Sequence, residues 1–262
     1  MTEGRHSVSL ISPLAAAGRA EEVVQRVSQA IQLGLFVDGE QLPPETEFAA
    51  QLGVSAMTLR EALASLRQQG LVETRRGRTG GTFVRRPASP PLGLLRERLR
   101  AMTTSSLRDL IDEQFAVSGG AAKLAAARAS AADVRRLGTL VRQLSAASSL
   151  GSRIRADSRF HIEVAQASQS ERLTRLELGL QTQLAELLWL PPEATAAPGP
   201  TGATVADTAT ELLDHVAVAA EHAAIADAIT AEDGDRARML AELHVESNLR
   251  RLTAMRLAMA QG

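Results

Sequence analysis

From Leu92 to Ala260 the sequence is almost unbroken helix former, with Ala, Leu, Arg and Glu dominating. The pattern is strongest over 107–129, 131–148, 152–169, 171–190, 208–230 and 233–258, with Asp133 and Asp207 near helix starts. One stretch resists: Pro191 to Thr208 (PPEATAAPGPTGATVADT) is too polar and broken for a regular element and reads as a long loop. Residues 93–258 are therefore expected to form an Ala-rich, all-α helical bundle joined by short turns.

The N-terminal part follows a different pattern. Val23, Val24, Val27, Ala30 and Ile31 recur at helical spacing. Leu42-Pro43-Pro44-Glu45 signals a helix start ahead of Phe48, Ala49 and Leu52, and Gly53 can close that helix in a left-handed C-cap. Ser55 then caps a further helix that buries Leu59, Leu63 and Leu66 and stops at Gly70. LVETRR and TFVRR flank the Gly-rich GRTGG, which predicts a hairpin. Helix, tight turn, helix and hairpin outline a winged helix-turn-helix over 20–86. The Pro-rich run from Arg86 to Pro91 marks the boundary, giving a leader at 1–19, a linker at 87–92 and a second domain at 93–258.

Composition removes several classes of function. With no Cys there are no disulfides, catalytic thiolates or Cys-ligated zinc modules. Five Phe, one Trp and no Tyr leave few platforms for stacking single-stranded bases. No apolar run reaches a membrane-spanning length of about 18 residues. The opening MTEGRHSVSLISPLAAAGRA has too short and broken an apolar run for a signal peptide, so a cytoplasmic location is expected. Charge is uneven: seven arginines (60, 67, 75, 76, 78, 85, 86) stand against Glu61 and Glu73 in residues 55–86. By contrast, residues 91–262 carry 19 basic and 21 acidic groups. That asymmetry fits either a nucleic-acid surface or a solvated arginine face.

Four of the five histidines lie in the helical half: His161, His215, His222 and His244, with only His6 outside it. Asp157 and His161 are four apart and share one helix face. His222 is eight residues before Thr230 and His244 nine after Asp235, so an antiparallel helix pair would bring both imidazoles to one level. One Asp and three His could then converge as metal ligands; taken singly, each reads as well as a surface or satisfied core residue. His215 lies two turns before His222, either lining a cavity or standing at the surface. Ser247 and Asn248, a turn beyond His244, are candidate effector contacts.

The segment LPPETEFAAQLGVSAMTLREALASLRQQGLVETRRGRTGGTFV resembles the GntR family of transcriptional regulators, FadR-like subgroup, and the likeness runs over residues 20–255. The resemblance implies DNA contacts from Ser55, Met57, Thr58, Arg60, Arg76, Gly77 and Arg78, with Ala56 and Thr46 standing where the family often has arginine. It also implies that Asp157, His161, His222 and His244 bind a divalent metal, zinc foremost with nickel or manganese as alternatives. Gln114 and Ser118 occupy positions where the family often has an arginine and a glutamate, so effector recognition should depart from the common pattern. The function implied is a homodimeric regulator, commonly a repressor, that binds double-stranded operator DNA and senses a small carboxylate-type metabolite. A metal sensor is the alternative. A helical metalloenzyme with an accessory winged helix is a weaker one, because no spare carboxylate offers a general base at a recognisable spacing.

Overall fold

A computed structural model of the chain describes residues 19–36, 38–77, 80–85, 92–191 and 214–261. The leader apart from Arg19, the linker apart from Leu92, Arg78 and nearly all of the predicted 191–208 loop lie outside those residues. The chain divides into two compact units between Ala88 and Ser89.

In the first unit, α1 (Arg19–Gln32) buries Val23, Val27 and Ile31 on a single stripe. Helix α2 (Glu45–Leu52) follows Pro44 and closes on Gly53, whose φ of 67° lies in the left-handed region that a glycine adopts without penalty. Ser55 caps α3 (Ala56–Gln68), its hydroxyl accepting from the Thr58 N–H at 3.1 Å. Strands β1 (Val72–Arg75) and β2 (Gly81–Val84) pair antiparallel, with Val72 opposite Val84 and Arg75 opposite Gly81. The other edge of β2 is covered by residues 39–42, bridged at Gln41 and Phe83, a pairing that no sequence signal announces. Phe48, Leu52, Leu59, Leu63, Leu66 and Val84 fill one core beneath these elements. At about 1.5–3 kcal/mol for each fully buried large apolar side chain, that core is what holds so small a unit together.

The second unit is helical throughout its described residues: α4 (Leu92–Ala101), α5 (Thr104–Arg128), α6 (Ala131–Ser145), α7 (Leu150–Ala167), α8 (Glu171–Leu188), α9 (His215–Thr230) and α10 (Gly234–Gln261). Most starts carry a side-chain cap, from Thr103, Ser130, Ser149, Ser170 and Asp214. Asp133 completes a reciprocal capping box with Ser130. The predicted start near Asp207 lies outside the described residues, and the described helix begins after Asp214.

Helix α5 runs through the middle, packing most extensively on α10 and also on α7, α8 and α9. Ala121, Ala122, Ala125 and Ala126 on α5 meet Ala228, Ala237 and Ala241 in a core that also takes Leu137, Phe160 and Ile229. Small residues let these backbones approach closely. Gly119-Gly120 reads in sequence as a weak point of α5, yet the helix continues through it. A Cβ at Gly119 would sit 3.0 Å from Glu242 Cγ, so the glycine is used for the close approach of α10.

Candidate functional site

The first unit presents the surface expected to read DNA. Met57 on the first turn of α3 is 72% exposed, and Ser55, Arg60, Arg76 and Gly77 are exposed as well. Thr58 is half-buried, its hydroxyl 2.9 Å from that of Ser55, so both belong to the helix cap. The Arg60 Nε donates to Glu45 Oε2 at 2.8 Å. Arg75 and Arg85 both donate to Glu73, whose carboxyl those two bonds hold below its ordinary range, and Arg75 also stacks on Phe83. Arg67 donates to Thr74. Four of the arginines behind the sequence's charge asymmetry are thus engaged within the unit itself.

The second unit holds the site with chemistry. Asp157 and His161 project from α7, His222 from α9 and His244 from α10, and one ligand atom from each lies within 4.8 Å of the others. All four side chains are buried. His161 Nε2 and His244 Nε2 are 3.2 Å apart, and His222 Nε2 is 3.5 Å from Asp157 Oδ1. Two atoms bound to one ion at about 2.0–2.1 Å lie about 3.0–3.4 Å apart for angles between 90° and tetrahedral, so both separations suit a shared cation. The α9–α10 pairing expected from the equal climbs on either side of the turn brings the His222 and His244 rings to 4.8 Å between centroids.

The polar atoms of the cluster point the same way. Neither ring nitrogen of His222 has a partner among the described residues, nor does Asp157 Oδ2, although both residues are almost wholly excluded from water. Buried donors and acceptors left unmade cost about 1–3 kcal/mol each, and a bound cation would absorb that cost. Burial pushes the Asp157 carboxyl up, against the opposing pull of the His244 ring, the Trp189 side chain and Arg251. Burial also holds His161 and His222 well below the usual imidazole range, with His244 adding to both shifts. Neutral imidazoles are the form that binds a metal. A donor set of three nitrogens and one carboxylate, without sulfur, fits zinc, nickel or manganese.

Several participants carry no recognisable sequence signal. Glu221, beside His222, accepts from His244 Nδ1 at 2.6 Å and from Arg251 Nη2 at 3.3 Å. Arg251 also donates to Asn248 Oδ1, and Asn248 Nδ2 is 3.5 Å from His244 Nε2. Burial raises the Glu221 carboxyl, but the His244 hydrogen bond and the charges of His244 and Arg251 outweigh it, leaving it below its ordinary range. Ser247 bonds the Leu243 carbonyl and Arg250. His215 stands at the first position of α9 beside Asp214, two turns from the cluster.

A small void adjoins the cluster, lined by His161, Phe160, Ser118, Glu177 and four aliphatic residues. It amounts to about 10 Å³, room for roughly one water. Glu177 is buried and accepts at both oxygens, from Ser118 Oγ at 3.0 Å and from Gln181 Nε2 at 2.8 Å. Burial pushes its carboxyl up, against those two hydrogen bonds. Gln114, one turn from Ser118, is fully buried with neither amide atom partnered.

Residues 19–84 match the family model described as bacterial regulatory proteins, gntR family, and residues 109–247 match the FCD domain. The chain belongs to the GntR family. Its relatives include RmpR of Mycobacterium gastri, a candidate HTH-type transcriptional regulator, 40% identical over 231 residues that span 88% of this chain and 79% of that protein. The Glc operon transcriptional activator of Escherichia coli (strain K12) is 30% identical over 159 residues, 58% of this chain and 62% of that one. The solved structure of E. coli McbR/YncC covers 91% of this chain and 98% of its own at a TM-score of 0.50 and 15% identity, a likeness of fold. This GntR-family chain is a DNA-binding transcriptional regulator with an FCD ligand-binding domain, and not an enzyme. Among its described residues no helix is long and apolar enough to cross a membrane.

Proposed function

We propose that this GntR-family regulator binds operator DNA as a homodimer, reading each half-site with the first turn of α3 and the wing. Ser55, Met57, Thr58, Arg60, Arg76, Gly77 and Arg78 are the proposed contacts. Met57, exposed at the helix start, suits apolar contact with a thymine methyl, and Arg60 must exchange Glu45 for a phosphate or base edge. Asp157, His161, His222 and His244 hold a divalent metal. The observation that carries this is the buried Asp/His3 cluster, whose partnerless nitrogens and oxygen call for a cation. A bound ion would supply a Lewis-acidic centre with one or two positions left for water or an effector oxygen. Effector binding changes DNA affinity to the extent that it favours one arrangement of the recognition helices.

The void beside the cluster bears on the effector. Its Glu177 wall weighs against the carboxylate metabolite that the family resemblance implies. Its size also supports a second reading, in which the ion itself is the signal. DNA affinity titrated against metal alone, with no organic ligand, separates the two readings.

The regulator reading is tested by fluorescence anisotropy on a duplex from the region upstream of the gene, with a scrambled duplex and a salt series as controls. Preferential binding that weakens steeply with salt is expected. Equal binding to both duplexes, metal-loaded and metal-free, would overturn it.

A further inference from the structure

We infer that the effector taken beside the metal cluster is a small uncharged hydroxylated molecule, a diol or polyol, and not a carboxylate. The inference rests on the metal reading above and concerns what the neighbouring void can accept.

Charge balance excludes the alternatives. A divalent ion at the cluster is already offset by Asp157 and by Glu177, which lines the same void as His161. Glu221 and Arg251 cancel each other, at 3.3 Å. An added carboxylate would leave one net negative charge in a site closed to water, and an added ammonium one net positive charge. Either is costly when buried and unpaired. A neutral molecule disturbs nothing.

Hydrogen bonding selects among neutral molecules. Both Glu177 oxygens already accept, from Ser118 and from Gln181, so the lone pairs that remain ask for further donors. Short turns link α5 to α6, α6 to α7 and α7 to α8, so α5 and α8 run in opposite senses. Gln114 and Ser118 on α5 therefore face Gln181 and Glu177 on α8 as two short ladders. The Gln114 amide has neither atom partnered and Gln181 Oε1 has none, with both residues fully buried. Carboxylate, hydroxyl and free amides together offer acceptors and donors, which match hydroxyl groups that are both. The ion would take a hydroxyl oxygen, and Glu177 the proton of a second hydroxyl. The void holds about one water as it stands, so the ligand is small or parts the two ladders to enter.

The test compares ethylene glycol with glycolate, which differ in one CH2OH against one carboxylate, on the full chain loaded with Co2+. The cobalt absorption band reports occupancy. A band that is absent, or unchanged in His222→Ala, means the metal reading has failed, a result distinct from the outcomes that follow. Once loading is established, ethylene glycol should perturb the wild-type band at lower concentration than glycolate. Glu177→Gln should shift that preference at least tenfold toward glycolate. Should Glu177→Gln fail to fold, Gln114→Arg, which adds a cation to the facing ladder, should gain glycolate binding by a similar factor. Tighter glycolate than glycol binding in the wild type, an unshifted preference in the variant that folds, or no response to either compound would each overturn the inference.

Discussion

His244 Nδ1 lies 2.6 Å from Glu221 Oε2, which fixes the ring tautomer and turns the Nε2 lone pair toward His161 and the rest of the cluster. Glu221 is in turn held by Arg251, so three residues from α9 and α10 orient one ligand. Losing such an outer partner typically lowers metal affinity by about 10–100-fold. Glu221→Ala should fall in that range, while Glu221→Gln, which keeps an acceptor, should lose less. Competition against a chelator of known affinity measures both, and an unchanged affinity in Glu221→Ala would show that the contact does not orient the ring.

The two halves of the molecule should fail separately. Arg60→Ala removes a cation from α3 without touching the helical unit, so operator binding should collapse while metal content stays at wild-type level. It should also lower the slope of log affinity against log salt by about one if Arg60 meets a phosphate. His222→Ala should do the reverse, losing metal and effector response while the metal-free protein keeps its basal DNA affinity. Anisotropy and elemental analysis on the same samples check both, and full metal occupancy in His222→Ala would rule the ring out as a ligand.

Phe160 ties the cluster to the core. Its ring stacks on His222 at 4.1 Å between centroids and 8° between planes, and it is fully buried beside Leu137 and Ile225. Phe160→Ala should cost about 3–5 kcal/mol by opening a cavity that the helices only partly close. Because the same cavity frees His222 to rotate, metal affinity should fall as well. Phe160→Leu keeps most of the volume and should cost about 1.5 kcal/mol or less. Urea unfolding gives the first quantity and chelator competition the second; a large loss of stability with unchanged metal affinity would confine Phe160 to a packing role.

Some of these features are legible in the chain and others are not, and the difference is physical. Gly53 and Ser55 announce the turn between α2 and α3 because each acts on its own neighbours, through a positive φ and a cap bond. Asp157 and His161 share a face by helical spacing alone, and His222 and His244 meet because the turn between them sets the register. Glu177, Glu221 and Arg251 look like any charge on an amphipathic helix, since only tertiary packing decides that they turn inward. The arginine excess misleads in the opposite sense: Glu45 and Glu73, taken as minor offsets, each bind the cations they face. Gly119 shows the same limit, for the proximity of Glu242 that gives it a purpose depends on how α10 crosses α5.

Burial of His161 and His222 also sets a pH dependence with a definite sign. Exclusion from water, reinforced by His244, keeps both rings neutral in the folded chain well below the ordinary imidazole range. In the unfolded chain each titrates near about 6.5. Their contribution is therefore fully present above that pH and is lost as pH falls, because the unfolded chain takes up protons that the folded chain refuses. Asp157 and Glu177 act in the opposite direction: their raised carboxyls bind protons in the folded chain that the unfolded chain has released, so acidification relieves their burial cost. Comparing wild type with His161→Gln/His222→Gln isolates the imidazole part, provided that metal is removed from both. Between about pH 7.5 and about pH 5.5 the stability of wild type relative to the double variant should fall by about 2–3 kcal/mol, near 1.4 kcal/mol for each histidine. Urea unfolding followed by circular dichroism at both pH values measures this, and a difference that does not change would mean that both rings take up protons inside the folded unit.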